Sequence, residues 1–339
     1  MSGIKNLILA ITLVAVTGLL IAYLITFQSQ ASNVIRFAHD SKEDSPLHRA
    51  LLFFEQQVET DSKGEIKVEI YPARQVGGVR ETTELVQQGN LQMTVGASVL
   101  LTSIVPEFNV LDMFYLFRDV EHAHSALDSD AIGGLLLQAM ENKGFHGLGF
   151  MEVGFRSITS NKRSINTLAD LKGLKIRAAS NPAQIEAWKS VGTAPTPLSW
   201  GEIFTSLQQG LINTQESSIY SIYAERFYEA QKYLSLTDHI YTNYVWFMNK
   251  VFWDGLNAQQ QAIIERAAKS TIAKQRHLAA ELNSQIINVL EEYGMQINAV
   301  DAGVRAEMKL IMNKAVYEDL RKKTGAKLFD DIFSRINQM

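Results

Sequence analysis

The sequence predicts an α/β protein of two lobes. Three observations carry that expectation. Strand-like and helix-like segments alternate along the chain after Ala31. A strand–helix–strand unit near the N-terminus is echoed by a second one after Thr167. And 339 residues are enough to bury two sizeable cores.

Taken in order, Val34 to Ala38 reads as a short apolar strand. Ser45-Pro46 supplies an N-cap and a first-turn proline. Leu47, Leu51, Phe54 and Val58 then share one helical face until Lys63-Gly64 stops it. Ile66, Val68 and Ile70 alternate with Lys67 and Glu69, the pattern of a half-buried strand. Gly77-Gly78 opens a helix running through Glu84 to Gln88, and Gly89-Asn90 turns it into a strand from Leu91 to Gly96.

In the second unit Thr167 caps a short helix that ends at Lys172-Gly173, and the strand Leu174 to Ala178 follows. Asn181-Pro182 starts another helix, which stops at Gly192. Ser199 with Glu202 three residues on forms a capping box. That helix ends at Gln208-Gln209-Gly210, as the earlier one ends at Gln87-Gln88-Gly89, and a strand follows in each case. From Asn257 to Tyr293 a helical pattern runs without proline or glycine, spanning roughly 50 Å at about 1.5 Å per residue. Heptads are not sustained, which disfavours a coiled coil. The pattern alone leaves open a hidden break or a brace crossing both lobes.

Composition narrows the function. The formal charge is −4 and no basic patch stands out, so nucleic acid is not an expected partner. The absence of cysteine excludes disulfides, thiolate metal sites and cysteine nucleophiles. Lys5 precedes an uncharged run from Asn6 to Ala31, strongly apolar from Leu7 to Phe27. It ends in Ser29-Gln30-Ala31, with small residues at the two positions a signal peptidase reads. About 20 apolar residues also suffice to span a bilayer. A cleaved signal is expected, with a retained anchor as the alternative, and both place residues 32–339 outside the cytoplasmic membrane.

Residues for catalysis are missing. There is no G-x-S-x-G elbow, and the seven histidines form no H-E-x-x-H or other metal spacing. His122 and His124, at a helix start, read as solvated. Gly77-Gly78 and Gly133-Gly134 lack the Gly-Lys-Ser/Thr of a phosphate loop, and there is no dinucleotide fingerprint. No enzyme activity, cofactor or metal is expected.

A binding residue does stand out. Arg177 closes the strand pattern Leu174-Lys175-Ile176-Arg177, where the chain leaves a sheet, and ligands of open α/β sheets bind beyond the carboxyl ends of strands. Its planar fork suits a carboxylate; a surface salt bridge is the plainer alternative. His39 and Asp40 end the first strand at the same end of the sheet, though solvated loop roles are the simpler expectation for both.

Six stretches carry a resemblance: VIRFAHD from Val34, YPARQVGG from Tyr71, PEFNVLDMFYLFRD from Pro106, GFRSITSNKRSI from Gly154, LKGLKIR from Leu171 and RFYEAQKYLSLTDH from Arg226. In this order and spacing the chain resembles the solute receptors of tripartite ATP-independent periplasmic (TRAP) transporters, of the DctP-like family. The resemblance implies two α/β lobes closing like a clamshell on one small acid, with the long helix as a brace. It divides the chain into residues 1–31 (signal or anchor), 32–153 (mainly the N-terminal lobe), 154–250 (mainly the C-terminal lobe with the ligand arginines) and 251–339 (the brace and C-terminal helices packing across the lobes).

By the same resemblance Arg177 matches the carboxylate arginine and Arg156 a second arginine of the pocket. Trp200 stands where an aromatic or apolar residue packs on the ligand, and Asn243 near a polar pocket position. Ser217 replaces the asparagine of the common word Gln-Glu-Asn, so its contact is expected to pass through water. Asp40, Ser98, Gln75 and Glu216 complete the candidate set. Sialic-acid receptors of the family carry a glutamate and an arginine near the positions of Ala97 and Leu100; their absence argues against a large sugar acid of that kind. The implied partners are a small organic acid (a dicarboxylate, a 2-oxo acid or a uronate) and the small and large membrane subunits of the transporter, with the receptor itself a monomer. A membrane-anchored sensing module is the alternative, supported only by the N-terminal run.

Overall fold

The computed structural model describes residues 33–339. The expected signal or anchor, Lys5 to Ala31, lies outside the described residues. Ten strands follow in chain order: β1 (Asn33–Ala38), β2 (Ile66–Tyr71), β3 (Met93–Ala97), β4 (Phe145–Ser160), β5 (Lys175–Ala178), β6 (Ala194–Pro197), β7 (Thr214–Ser218), β8 (Tyr233–Leu236), β9 (Tyr241–Asn249) and β10 (Gln296–Ala299). They connect in the order β2-β1-β3-β9-β4-β7-β5-β6, with β8 joining β4 to β10.

Two parallel half-sheets arise from this order, β2-β1-β3 in one lobe and β7-β5-β6 in the other. The two antiparallel strands β9 and β4 link them. β4 serves both lobes. Phe145 to Phe155 pair with β9, and Arg156 to Ser160 pair with β7. Between Glu152 and Gly154 the register against β9 slips. Gly154 has φ 102°, a conformation that costs a residue with a side chain dearly, so the strand bends where it passes between lobes.

Local chemistry sets the helix ends. Ser45 caps α1 (Pro46–Asp61) by accepting the His48 N–H at 3.0 Å. α2 (Val79–Gln87) is followed by Gly89 at φ 79°, and the helix Ile203–Gln208 by Gly210 at φ 70°, so the matching Gln-Gly words end both helices through the same left-handed turn. Asn181 caps α3 (Pro182–Ser190) by accepting from Ala183 and Gln184. The Ser199/Glu202 capping box is formed, and a second box, Asn257 with Gln260, opens the long helix.

That helix, α4 (Ala258–Glu292), is unbroken over 35 residues and braces both lobes. Near its start Ile264, Ala267 and Ala268 pack with Ile35, Phe37, Phe54 and Trp246 of the N-terminal lobe. Near its end Ile286 and Leu290 pack with Ile203, Leu207, Ile222 and Leu234 of the C-terminal lobe. Midway, Gln275 accepts the Glu152 N–H at 2.9 Å and donates to the Glu152 carbonyl at 2.8 Å. Arg276 forks onto Asp128 at 2.6 and 2.8 Å and reaches the Phe150 carbonyl at 2.9 Å. The brace therefore grips β4 at its bend. On another side of the junction, α5 (Ala302–Thr324) and α6 (Ala326–Gln338) bury Met308, Met312, Leu320 and Phe329 in one core with Phe114 and Trp188. Fully burying side chains of this size contributes about 1.5–3 kcal/mol each.

Three histidines expected in solvent are inside or against the core. His122 is buried; its Nδ1 accepts the Arg118 N–H at 3.1 Å and its Nε2 faces the Ile336 carbonyl at 3.0 Å. His124 places Nε2 3.0 Å from the buried Glu152 carboxylate. His39 is buried because β1 is an interior strand whose end runs beneath α1; its Nε2 lies 3.0 Å from His48 Nδ1. Burial, and secondarily His48, lower its pKa to about 3, so it is neutral. In each case a partner comes from another segment: Ile336 for His122, Glu152 for His124 and His48 for His39.

Candidate functional site

Between the lobes lies a cavity of about 1000 Å³ with its mouth included, in the size range of small-molecule clefts. Parallel strands of both lobes feed it from their carboxyl ends: β1 through Asp40 and Lys42, β3 through Ser98 and Val99, β5 through Arg177, and β7 through Glu216 and Tyr220. The wall thus combines two switch points of the kind that bind ligands in open α/β sheets.

Arg177 is 4% exposed. Its Nε and Nη2 donate to the Leu198 carbonyl at 3.1 and 2.9 Å, and its guanidinium carbon lies 5.7 Å from the centre of the Trp200 ring. Nη1 makes no hydrogen bond to a described residue, and no carboxylate among the described residues pairs with it. Burial pulls its pKa down to about 10; Glu216 opposes that and the like charge of Arg156 adds to it. Arg177 stays protonated at neutral pH. It is a desolvated cation held by a carbonyl and aimed into an open space.

Arg156 is arranged differently. Arg156 and Glu216 are diagonal neighbours on adjacent antiparallel strands, since Arg156 faces Ser218 and Ile158 faces Glu216. Arg156 grips Glu216 in a fork, Nε to Oε2 and Nη2 to Oε1, the latter at 2.9 Å. Glu216 also takes a bond from His239 Nε2 at 3.2 Å, and His239 Nδ1 lies 2.8 Å from Thr237 Oγ1. The His239 ring is fully buried between Phe114 and Trp188. Burial alone raises a carboxyl, but here Arg156 and the hydrogen bonds from His239 and Arg156 outweigh it and hold Glu216 at about 2. The pair is an internally neutralised part of the wall.

Two further carboxyls face the cavity. Asp112 is buried, and its Oδ2 accepts from Asn181 Nδ2 at 2.9 Å. Burial raises it to about 7 against the hydrogen bonds from Asn181 and Gln184. Asp40 is raised to about 6 by burial, with Arg74 pulling the other way. Glu225 accepts from Trp200 Nε1 at 3.2 Å and lies 3.7 Å from Lys42 Nζ.

Of the sequence-derived candidates, Arg177, Arg156, Trp200, Glu216, Asp40 and Ser98 come together on this wall. Three do not. Gln75 sits exposed in the turn after β2. Ser217 is fully buried between Glu216 and Ser218, and alternation along β7 points it away from the face that Glu216 presents. Asn243 is fully buried between Thr242 and Tyr244, which line the cavity, so it faces the other side of β9. Asp40 lines the cavity where a solvated loop was the simpler expectation. Asp112, Lys42 and Glu225 were missed; a lone acid in the apolar run VLDMFYLF was the available signal for Asp112.

Fold and site together define a solute-binding protein: two braced lobes, an interlobe cavity, and a buried cation on its wall. The chain belongs to family 7 of the bacterial extracellular solute-binding proteins, the DctP family, whose description matches residues 37–323. It is 34% identical over 282 residues, 83% of this chain and 86% of the relative, to the 2,3-diketo-L-gulonate-binding periplasmic protein of Escherichia coli K12. The sugar acid binding protein DctPAm of Advenella mimigardefordensis, solved with galactonate, superposes with TM-score 0.85 at 28% identity, covering 90% of this chain and 98% of that one. A TRAP periplasmic solute-binding protein of Sulfurospirillum deleyianum with bound succinate gives TM-score 0.82 at 27% identity, over 89% and 98%. Among the described residues no helix is long and apolar enough to cross a membrane.

Proposed function

We propose that this chain is the periplasmic receptor of a TRAP transporter, that it binds a small organic acid with the carboxylate on Arg177, and that it delivers the acid to the transporter's small and large membrane subunits. One observation supports the reading most: Arg177 is a buried guanidinium with no carboxylate partner among the described residues, facing a cavity between two lobes. Such a charge is costly until an anion arrives. A carboxylate bound there gains two-point recognition from the fork. Closing the lobes removes water and strengthens the pair, so the anion favours the closed state through its differential affinity for it. The relatives bind acids of this size, which supports the same reading.

A thermal-shift and calorimetric screen of organic acids tests it: at least one acid is expected to bind, and Arg177→Ala is expected to abolish the response. If no organic acid raises the melting temperature, the reading fails. The periplasmic assignment is tested by exporting the chain and sequencing its N-terminus, which is expected to begin at Ser32; recovery in the cytosol refutes it.

A further inference from the structure

The relatives show that this fold takes both a polyhydroxy monocarboxylate and a plain dicarboxylate. The wall residues of each receptor must therefore make the choice. We infer that Asp112, together with Asp40, makes this cavity selective for acids that carry one carboxylate and a hydroxylated tail, and rejects dicarboxylates. The inference rests on the proposed role of Arg177 as the carboxylate anchor.

A charge inventory of the wall carries it. The cations facing the cavity are Arg177, Arg156 and Lys42; the anions are Glu216, Glu225, Asp40 and Asp112. Arg156 is forked onto Glu216. Lys42 lies 3.7 Å from Glu225 and donates to the Ala224 carbonyl. Arg74, near Asp40, and Lys323, near Asp112, exert their charge from outside the wall. Among the described residues only Arg177 offers an unpaired cation. A ligand with one carboxylate satisfies it. A second carboxylate finds no free cation and meets two carboxyls instead, each of which repels it when ionised.

The same two carboxyls suit hydroxyls. An ionised aspartate accepts from a ligand O–H, and a protonated one also donates to the ligand oxygen, so a hydroxyl, which is both donor and acceptor, is matched in either state. An ionised aspartate offers a second carboxylate no such match, because neither group has a proton to donate. Asp112 is the stronger determinant because it is fixed: Asn181 bonds its Oδ2 while also capping α3.

The test uses pairs of acids that differ only in their far end: galactonate against galactarate, and erythronate against meso-tartrate. Calorimetry on the wild-type chain is expected to favour the monocarboxylate at least tenfold in whichever pair binds. Asp112→Asn, which keeps an oxygen for Asn181, is expected to shrink that ratio several-fold by relieving the repulsion; Asp40→Asn should shrink it less. Binding of a dicarboxylate as tight as that of its monocarboxylate partner overturns the inference and leaves the Arg177 reading intact. So does a ratio that Asp112→Asn and Asp40→Asn both leave unchanged. Failure of all four acids to bind overturns the inference and leaves the Arg177 reading to the wider screen of organic acids. The wild-type ratio decides the matter even where a variant does not fold.

Discussion

Replacing Arg177 by alanine separates the ligand role of this residue from a structural one. Burial pulls the pKa of Arg177 well below its ordinary value, to about 10, which amounts to roughly 3 kcal/mol of penalty on the buried charge at about 1.4 kcal/mol per tenfold change. Truncation relieves that penalty. It also removes two hydrogen bonds to the Leu198 carbonyl, and leaving a buried acceptor unsatisfied costs about 1–3 kcal/mol. The two effects nearly cancel, so the melting temperature of the ligand-free protein should change little. Binding should respond very differently. Losing one partner of a buried, hydrogen-bonded charge pair costs about 2–5 kcal/mol, a loss of about 30-fold to several thousand-fold in Kd. Arg177→Lys should fall between, since a point charge does not reproduce the fork. The assay is differential scanning fluorimetry with and without an acid that shifts the wild type, followed by calorimetry. A variant that folds and keeps its affinity within threefold refutes the anchor role. A variant that loses many degrees without ligand shows that Arg177 is chiefly structural.

The remaining predictions concern the wall and the brace. Glu216→Gln leaves Arg156 as an uncompensated buried cation and should cost about 3–5 kcal/mol of stability, readable as an earlier urea midpoint; an unchanged midpoint would show that the pair carries no weight. Because Glu216 is held at about 2, its contribution is complete above about pH 4.5 and is lost as pH falls toward 2, and this acid limb should vanish in the variant. Asp112 acts with the opposite sign: its folded pKa of about 7 lies above the ordinary carboxylate value, so the native state takes up the extra proton and loses stability as pH rises from about 4 to about 7. Asp112→Asn should flatten that decline, which urea titrations at pH 5 and pH 8 measure. Ala273 is exposed in the middle of α4, so Ala273→Pro should cost about 3 kcal/mol or more with no loss of side-chain packing. It should also change the ligand-induced compaction seen by small-angle scattering; a normal compaction would show that the brace does not couple the lobes.

Much of the fold was legible because its punctuation is local. Ser45, Asn181, Ser199 with Glu202, and Asn257 all cap helices as their neighbours in sequence imply. The helix expected between Asn257 and Tyr293 has those two residues as its caps. The site was less legible. Arg177 could be found because a strand end has a positional meaning. The pairing of Arg156 with Glu216, 60 residues apart, depends on the register of two antiparallel strands, which no local pattern sets. That pairing changes the chemistry, since two free arginines would suit a dicarboxylate and one does not. Matching words in a sequence also cannot say which face of a strand a residue takes. Glu216 and Ser217 are adjacent in the matching word, yet only Glu216 reaches the wall.

The arrangement of the wall ties binding to closure. Asp40 and Ser98 leave strands of the N-terminal lobe, while Arg177, Glu216 and Trp200 belong to the C-terminal lobe. Asn181 joins the two groups directly: it caps a helix of the C-terminal lobe through its oxygen, and its nitrogen donates to the Val99 carbonyl at 3.2 Å, Thr102 Oγ1 at 3.2 Å and Asp112 Oδ2 at 2.9 Å. The bend of β4 at Glu152–Gly154, gripped by Gln275, and the long helix that packs on both cores run from one lobe to the other. A hinge motion at that bend would move Arg177 relative to Asp112 and would part Asn181 from Asp112, Val99 and Thr102. The anion on Arg177 and the hydroxyls on Asp112 would then be satisfied by one ligand only when the lobes come together. A molecule that makes both contacts would supply more differential affinity for the closed state than one that reaches only Arg177, and so would shift the population further.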